Sequence, residues 1–208
     1  MKLSYFTMPL HPPGRDYLET LAEDRAAILL ADELGFAEAF VGEHVTDRAE
    51  TITSCLIFLA SLAYQIRQIT LGSGTVNLPN AHPAAVAAQV AMLDHMLQGR
   101  FVFGISPGGL RSDAEVFGNL DRDRKAMFSE AIEQVLRIWR EPPPYDIAGE
   151  YWQVSTRRTM DLEIGQGAIL QPLQRPHPPI MVACMSPMSD SVSQAARRGW
   201  SIISANFL

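Results

Sequence analysis

The chain has 208 residues, 47% hydrophobic and 19% charged, and its 17 basic and 23 acidic side chains leave a formal net charge of −6. That is enough apolar material for one globular domain with a sizeable core, and it excludes disorder, collagen, coiled coils and disulfide scaffolds. The acidic balance argues against nucleic acid or an anionic membrane as main partner, since both are met by basic patches, and no apolar run approaches the ~18 residues of a membrane span.

Residues 2–8 (KLSYFTM) are short, apolar and aromatic, stop at Pro9, and read as a buried strand. The start MKLSYFTMPLHPP lacks the sustained apolar region of a signal peptide. Residues 17–34 form a long Ala-, Leu- and Glu-rich stretch without Gly or Pro. The spacing of Leu18, Leu21, Ala22, Ile28, Leu29 and Ala31 predicts a helix, with Asp16 as N-cap and Gly35 as the C-terminal glycine. The cycle then repeats: strand 37–42, apolar helix 51–66, strand 69–77 weakened by Gly72 and Gly74, helix 82–97 with Pro83 in its first turn, and strand 100–106. A helix from about Arg122 to Trp139 follows. Residues 141–179 break the rhythm with three consecutive prolines and a short aromatic piece, which predicts a small hairpin beside the sheet and not a second domain. Strand 180–184, helix 191–199 and strand 200–204 resume it. Short buried strands alternating with helices imply a parallel sheet covered by helices, in one domain over 1–208. Six such strands make either a shorter open α/β domain or a barrel lacking its last two units.

Ligands of parallel α/β folds sit at the carboxyl ends of the strands. Strand two ends in Gly42, Glu43 and His44; an imidazole there can move a proton near neutral pH, and the neighbouring carboxylate can orient it or bind a polar group. A hydrogen-bonded structural histidine fits equally. Strand four runs into GISPGGLRSD (104–113), whose glycines allow close backbone approach to a ligand; it is neither GxGxxG nor a P-loop. The serines of SPMSDS (186–191) precede a helix, where free N–H groups favour an anion or plain capping. His11, His82, His95 and His177 are scattered, the two cysteines Cys55 and Cys184 are far apart, and no metal spacing or GxSxG is present. Two free thiols fit a reducing, cytoplasmic setting. Met8, Met185 and Met188 sit at strand ends, as pocket lining or as core.

VGEH (41–44), GTVNLPNAHP (74–83), LDHMLQGRFVFGISPG (93–108) and VAC with SP (182–187) together resemble the bacterial luciferase-like flavin monooxygenases, in that family's order and over essentially the whole chain. GISPGGLRSD resembles a limonene-monooxygenase-like branch of that family, which shares a PGxLxSD stretch. The resemblance implies a TIM-type (β/α)8 barrel, here stopping after the sixth strand, with FMN at its C-terminal face. It implies reduced FMN supplied by a separate flavin reductase, and O2 activated as a C4a-peroxyflavin that oxygenates a small hydrophobic substrate. On this reading His44 is catalytic, with Glu43 beside it. Gly74 and Thr75, often joined by a cis peptide, lie against the flavin with Asn77. Ser106 and Pro107 stand where luciferases carry a cysteine and a phosphate-binding arginine, so Gly108, Arg111, Ser186 and Ser189 meet the phosphate. Met8, Tyr151 and Trp152 line the substrate pocket, and helices 51–66 and 82–97 pair two copies into a homodimer. A deazaflavin-dependent oxidoreductase of the same superfamily and a flavin-binding protein without turnover are the alternatives.

Overall fold

The computed structural model describes residues 2–184 and 190–204. Strand and helix alternate as their spacing predicts: β1 (Ser4–Thr7), α1 (Tyr17–Glu33), β2 (Glu38–Val41), α2 (Cys55–Ala60), β3 (Thr70–Ser73), β4 (Val76–Asn77), α3 (Pro83–Met96) and β5 (Phe101–Ser106). There follow α4 (Arg111–Val116), α5 (Arg124–Arg140), β6 (Asp146–Ala148), β7 (Gln153–Ser155), β8 (Ile180–Ala183), α6 (Asp190–Arg198) and β9 (Ser201–Ile203). The main sheet is parallel throughout, in the order β1-β2-β3-β5-β8-β9, with β4 continuing β3 along the second half of β5. All carboxyl ends therefore share one rim.

The core sits where both faces of the sheet are covered. Every residue of β5 is buried, and Phe103 packs edge-on to Trp139 of α5 at 5.9 Å. Burying a side chain of this size contributes about 1.5–3 kcal/mol. The Trp139 indole N–H donates to the Ala87 carbonyl at 3.2 Å and so ties α5 to α3. Ser73 and Gly104 exchange hydrogen bonds at 2.8 Å in each direction where β3 ends. A Cβ at Gly104 would overlap the Ser73 carbonyl, which explains a glycine inside a buried strand.

Side-chain caps explain where helices begin. Asp16 accepts from Leu18 and Glu19 N–H at the start of α1, and Asp123 from Lys125 and Ala126 N–H at the start of α5. Among the described residues no helix is long and apolar enough to cross a membrane.

Several expectations are corrected. β1 is not buried: among the described residues it is an edge strand paired with β2, and Phe6 and Leu3 remain exposed. The helix expected over 51–66 is α-helical only from Cys55 to Ala60. From there i→i+3 bonds tighten the chain as far as Gln65, and the Ser61 hydroxyl takes the Phe58 carbonyl. Strand 69–77 divides at a cis Gly74–Thr75 peptide. Leu18, expected on the buried stripe of α1, is 77% exposed, while Thr20, Asp24 and Asp32 are buried. The inner face of α1 carries carboxylates because loops bring it backbone donors. Asp32 alone accepts from Arg67, Gln68 and Ile69 N–H at 2.7, 3.0 and 2.8 Å.

The excursion is an antiparallel β6–β7 hairpin seated on α5. Glu130 accepts from Glu150, Tyr151 and Trp152 N–H at 2.7–3.0 Å. Asp94 of α3 holds the far end of the excursion through Gln174 N–H at 2.8 Å.

Candidate functional site

The rim is built by the loops that follow β2, β4 and β5. The chain leaves β2 through Gly42, where an added Cβ would lie 2.8 Å from Met8 Cγ and 2.9 Å from the Gly74 carbonyl. The first three strand ends are therefore in contact there, and only glycine lets them close up. Met8, Pro9, Gly42, Glu43, His44, Glu50 and Ile52 surround a cleft with no room for a water.

His44 N–H donates to the Ile52 carbonyl at 3.0 Å, which folds the loop back on itself. The ring then lies between two carboxylates: Nδ1 is 3.3 Å from Asp113 Oδ2, and Nε2 is 3.2 Å from Glu50 Oε2. Asp113 comes from α4, a short helix that the spacing does not predict, and it is 3% exposed. It also accepts from Val45 N–H at 3.2 Å, Thr46 N–H at 2.8 Å and the Thr46 hydroxyl at 2.6 Å. Burial drives the Asp113 carboxyl upward, but these donors outweigh it and hold the group below the usual carboxylate range.

Glu43 departs from expectation. Its carboxylate does not meet the His44 ring; it accepts from Cys55 N–H at 3.0 Å and Asn77 N–H at 3.1 Å. Two donors do not offset its burial, and the Glu43 carboxyl is pushed up. Burial, and then Glu43, push the Cys55 thiol well above its ordinary value, which removes it as a nucleophile.

From Asn77 a chain of contacts crosses to the next loop. The Ser106 hydroxyl donates to Asn77 Oδ1 at 2.8 Å and accepts from Gly108 N–H at 3.1 Å. Gly108 has φ +77°, a left-handed conformation that favours glycine, and it lies in contact range of Asn77 and Arg124. Arg124, the first residue of α5, donates through Nη2 to the Gly108 carbonyl and to the Pro107 carbonyl at 3.1 Å. Its Nε is buried without an acceptor among the described residues.

His44, Met8, Gly74, Thr75, Asn77, Ser106 and Gly108 are thus linked along one rim. Arg111 is exposed on α4, and no described residue accepts a hydrogen bond from it; Arg124 is the guanidinium at the loop. Tyr151 and Trp152 are fastened to α5 by Glu130, their rings 5.9 Å apart, and no contact among the described residues joins them to His44 or Asn77. Ser186 and Ser189, with Met185 and Met188, lie outside the described residues. Asp113, Glu50, Thr46 and Arg124 are the site residues that the motifs did not single out. Asp113 ends the PGGLRSD stretch, but α4 opens on Leu110 with no side-chain cap, so no signal marked a helix there. Among the described residues no group of three His, Cys, Asp or Glu side chains is disposed to hold a metal ion.

The family model described as luciferase-like monooxygenase matches residues 1–207. The chain is 33% identical over 153 residues to 4-hydroxyprotoasukamycin monooxygenase of Streptomyces nodosus subsp. asukaensis, covering 74% of this chain and 41% of that protein. It is 35% identical over 133 residues to limonene 1,2-monooxygenase of Rhodococcus erythropolis, covering 64% and 34%. The oxygenating constituent of 3,6-diketocamphane monooxygenase from Pseudomonas putida, a type II Baeyer-Villiger monooxygenase solved in complex with FMN, superposes with a TM-score of 0.90 at 25% identity. That superposition covers 98% of this chain and 57% of the other. The chain therefore spans little more than half the length of this solved relative, and less of the other two. Its curled parallel sheet is like a half-barrel of that solved relative, and with the family model matching residues 1–207, the chain belongs to the luciferase-like monooxygenase family.

Proposed function

We propose that the chain forms the flavin site of an FMN-dependent monooxygenase that takes reduced FMN from a separate reductase and uses O2 to oxygenate a small hydrophobic substrate. The observation that carries this reading is the rim in which His44 stands next in sequence to Glu43, Glu43 holds Asn77, and contacts run on from Asn77 through Ser106 to Gly108 and Arg124. An FMN-bound relative of the same fold supports it, and that relative's name, an oxygenating constituent, supports a reductase partner.

The residues present fit the cofactor. The buried Arg124 Nε lacks an acceptor, as expected of a cation whose hydrogen bonding is completed by an anion such as a phosphate. Gly109 has open space around it, with nothing within 4 Å of an added Cβ. Gly74, Thr75, Asn77, Ser106, Gly108 and Arg124 would hold FMN, with Arg111, Ser186 and Ser189 as further candidates for its phosphate. Reduced FMN supplies the two electrons needed to divide O2 between substrate and water.

The protein's own part is positional. Glu43 fixes the Asn77 backbone and so aligns the ends of β2 and β4. Asp113 orients the imidazole through Nδ1, which leaves Nε2 as the atom that holds or moves a proton. Met8 closes the cleft on the β1 side. Pairing of two copies through the exposed Ile57, Tyr64 and Met92 of the α2–α3 face belongs to the same proposal.

The test is flavin titration followed by fluorescence. FMN is expected to bind saturably, and Arg124→Ala to weaken it by about thirtyfold, or about 2 kcal/mol, while riboflavin, which lacks the phosphate, is unaffected. Binding of a deazaflavin cofactor in place of FMN would transfer the chain to the hydride-transferring branch, and no flavin binding would end the reading. Oxygen uptake with reduced FMN, compared between wild type and His44→Ala, reports whether the imidazole takes part; equal rates would leave a flavin-binding protein without His44 chemistry.

A further inference from the structure

A second concave site lies at the other end of the sheet, away from the His44 rim. Parallel β8 begins at Ile180, so residues 175–177 stand at the amino ends of the strands, and α5 starts beside Gly108 and runs back to end there too. Between them, Leu136, Trp139 and Arg140 of α5 and Arg175, Pro176 and His177 of the link surround a cleft of about 420 Å³. Its walls are held in place by other bonds. The Trp139 indole is buried, with its N–H spent on the Ala87 carbonyl. The His177 ring lies over it, with centroids 6.4 Å and planes 30° apart, and His177 Nδ1 donates to the Pro178 carbonyl at 2.8 Å. Gln174, next to Arg175, donates to the two Asp94 carboxylate oxygens at 2.8 and 2.7 Å and to the Phe101 carbonyl at 2.9 Å.

The charge around the cleft is unbalanced. Among the described residues Arg175 reaches only the neutral Gln171 Oε1, at 3.4 Å. Arg140 meets Glu141 Oε1 at 3.4 Å, but Arg137 already holds that carboxylate, its Nε and Nη2 donating to the two oxygens at 2.8 and 3.0 Å. Among the described residues no Asp or Glu lines the cleft. Two guanidiniums therefore stand over it without a carboxylate of their own, in a chain whose net charge is −6. A place in the last turn of α5 suits Arg140 to the helix dipole, but Arg175 lies on no helix and has no such reason to be there. Leu136, Trp139 and Pro176 supply apolar wall beside them. We infer that this cleft binds a small organic carboxylate with an aromatic or alicyclic body. The guanidiniums take the planar carboxylate through paired N–H donors, and the apolar wall covers the ring. The cleft is far larger than a bare inorganic anion fills, which is why the ligand needs a body. The inference does not depend on the flavin reading, whose residues lie at the opposite ends of the strands.

The experiment is isothermal titration calorimetry of the full chain with 1-naphthoate as the probe. Two controls run beside it: 1-naphthylmethanol, which has the rings without the charge, and inorganic phosphate, which has the charge without the rings. Naphthoate is expected to bind saturably and at least about tenfold more tightly than either control, and Arg175→Gln and Arg140→Gln are each expected to weaken it by about tenfold. Both arginines are exposed, so the variants should keep the wild-type urea midpoint and the wild-type response to FMN. Should either variant fail to fold, Leu136→Glu sets a like charge against the carboxylate without touching an arginine, and it is expected to abolish binding. No naphthoate binding, or binding that survives these substitutions, overturns the inference. So does naphthylmethanol or phosphate binding as tightly as naphthoate, which would remove the charge or the ring from the recognition. Loss of naphthoate binding in Arg124→Ala with binding intact in Arg175→Gln would put the probe at the rim and overturn it as well. Failure to bind FMN would end the flavin reading and leave this site standing.

Discussion

Asp32 and Asp113 are built alike and do different things. Both are almost fully buried, both clasp a loop far away in the chain through backbone N–H groups, and both are held below the ordinary aspartate value because those donors outweigh burial. Asp32 joins α1 to the link before β3, at the amino ends of the strands, and the charge that acts on it is a fixed cation, Arg100. Asp113 joins α4 to the loop after β2, at the carboxyl ends, and its added partner is the His44 ring at 3.3 Å. A buried carboxylate with several donors is a fastening; what sets Asp113 apart is that it also holds an imidazole at the rim of the strand ends.

The sharpest way to break this comparison is Asp32→Ala. It leaves three backbone donors without an acceptor and is expected to cost about 3 kcal/mol in urea unfolding, with FMN affinity of the folded protein unchanged. Altered affinity would mean that the two ends of the sheet are not independent. Asp113→Asn keeps one acceptor oxygen and should cost about 1–2 kcal/mol, but it should also change the Nε2 resonance of His44. Loss of stability with an undisturbed ring would make Asp113 a fastening like Asp32.

Titration sharpens the contrast with Glu43. A lowered carboxyl contributes stability above its unfolded value and loses it as pH falls through its folded value, so the clasps of Asp32 and Asp113 should weaken only below about pH 4. Glu43 is raised, and the sign reverses: its protonated form suits the fold, and ionisation costs stability as pH rises above the ordinary glutamate range. Glu43→Gln should therefore cost about 1 kcal/mol near pH 5 and less near pH 8, measured by denaturant midpoints at the two values. A deficit that grows with pH would refute the assignment. The smallest effects belong to residues that the sequence nominated and the fold set aside. Leu18→Gln should shift stability by no more than about 0.5 kcal/mol. Tyr151→Phe should leave both the unfolding midpoint and flavin affinity unmoved.

Much of the scaffold was legible because it rests on local physics. A strand buried on both faces must be short and apolar, a helix must repeat near 3.6 residues, and Asp16 and Gly35 mark the ends of α1 through caps that neighbouring residues complete. The turn residues Gly42, Gly74 and Gly108 were visible for the same reason. What misled was uniform apolarity. Residues 51–66 read as one helix, although the Ser61 hydroxyl competes for a helix carbonyl. In α1, a leucine stripe masked the polar face that the core accepts.

Local patterning is enough to specify the parallel α/β architecture, the strand ends that carry Glu43, His44, Asn77 and Ser106, and the family to which those motifs point. Which polar groups meet depends on the assembled fold: Glu43 turns to Asn77 and away from the His44 ring, Arg124 and not Arg111 reaches the loop at 107–108, and Asp113 and Glu50 lie on either side of the imidazole. The physical reason is range. Periodicity and capping act over a few residues, whereas Asp113 lies 69 positions from His44 and is brought to it by the parallel order of the strands, which sets their carboxyl ends on one rim.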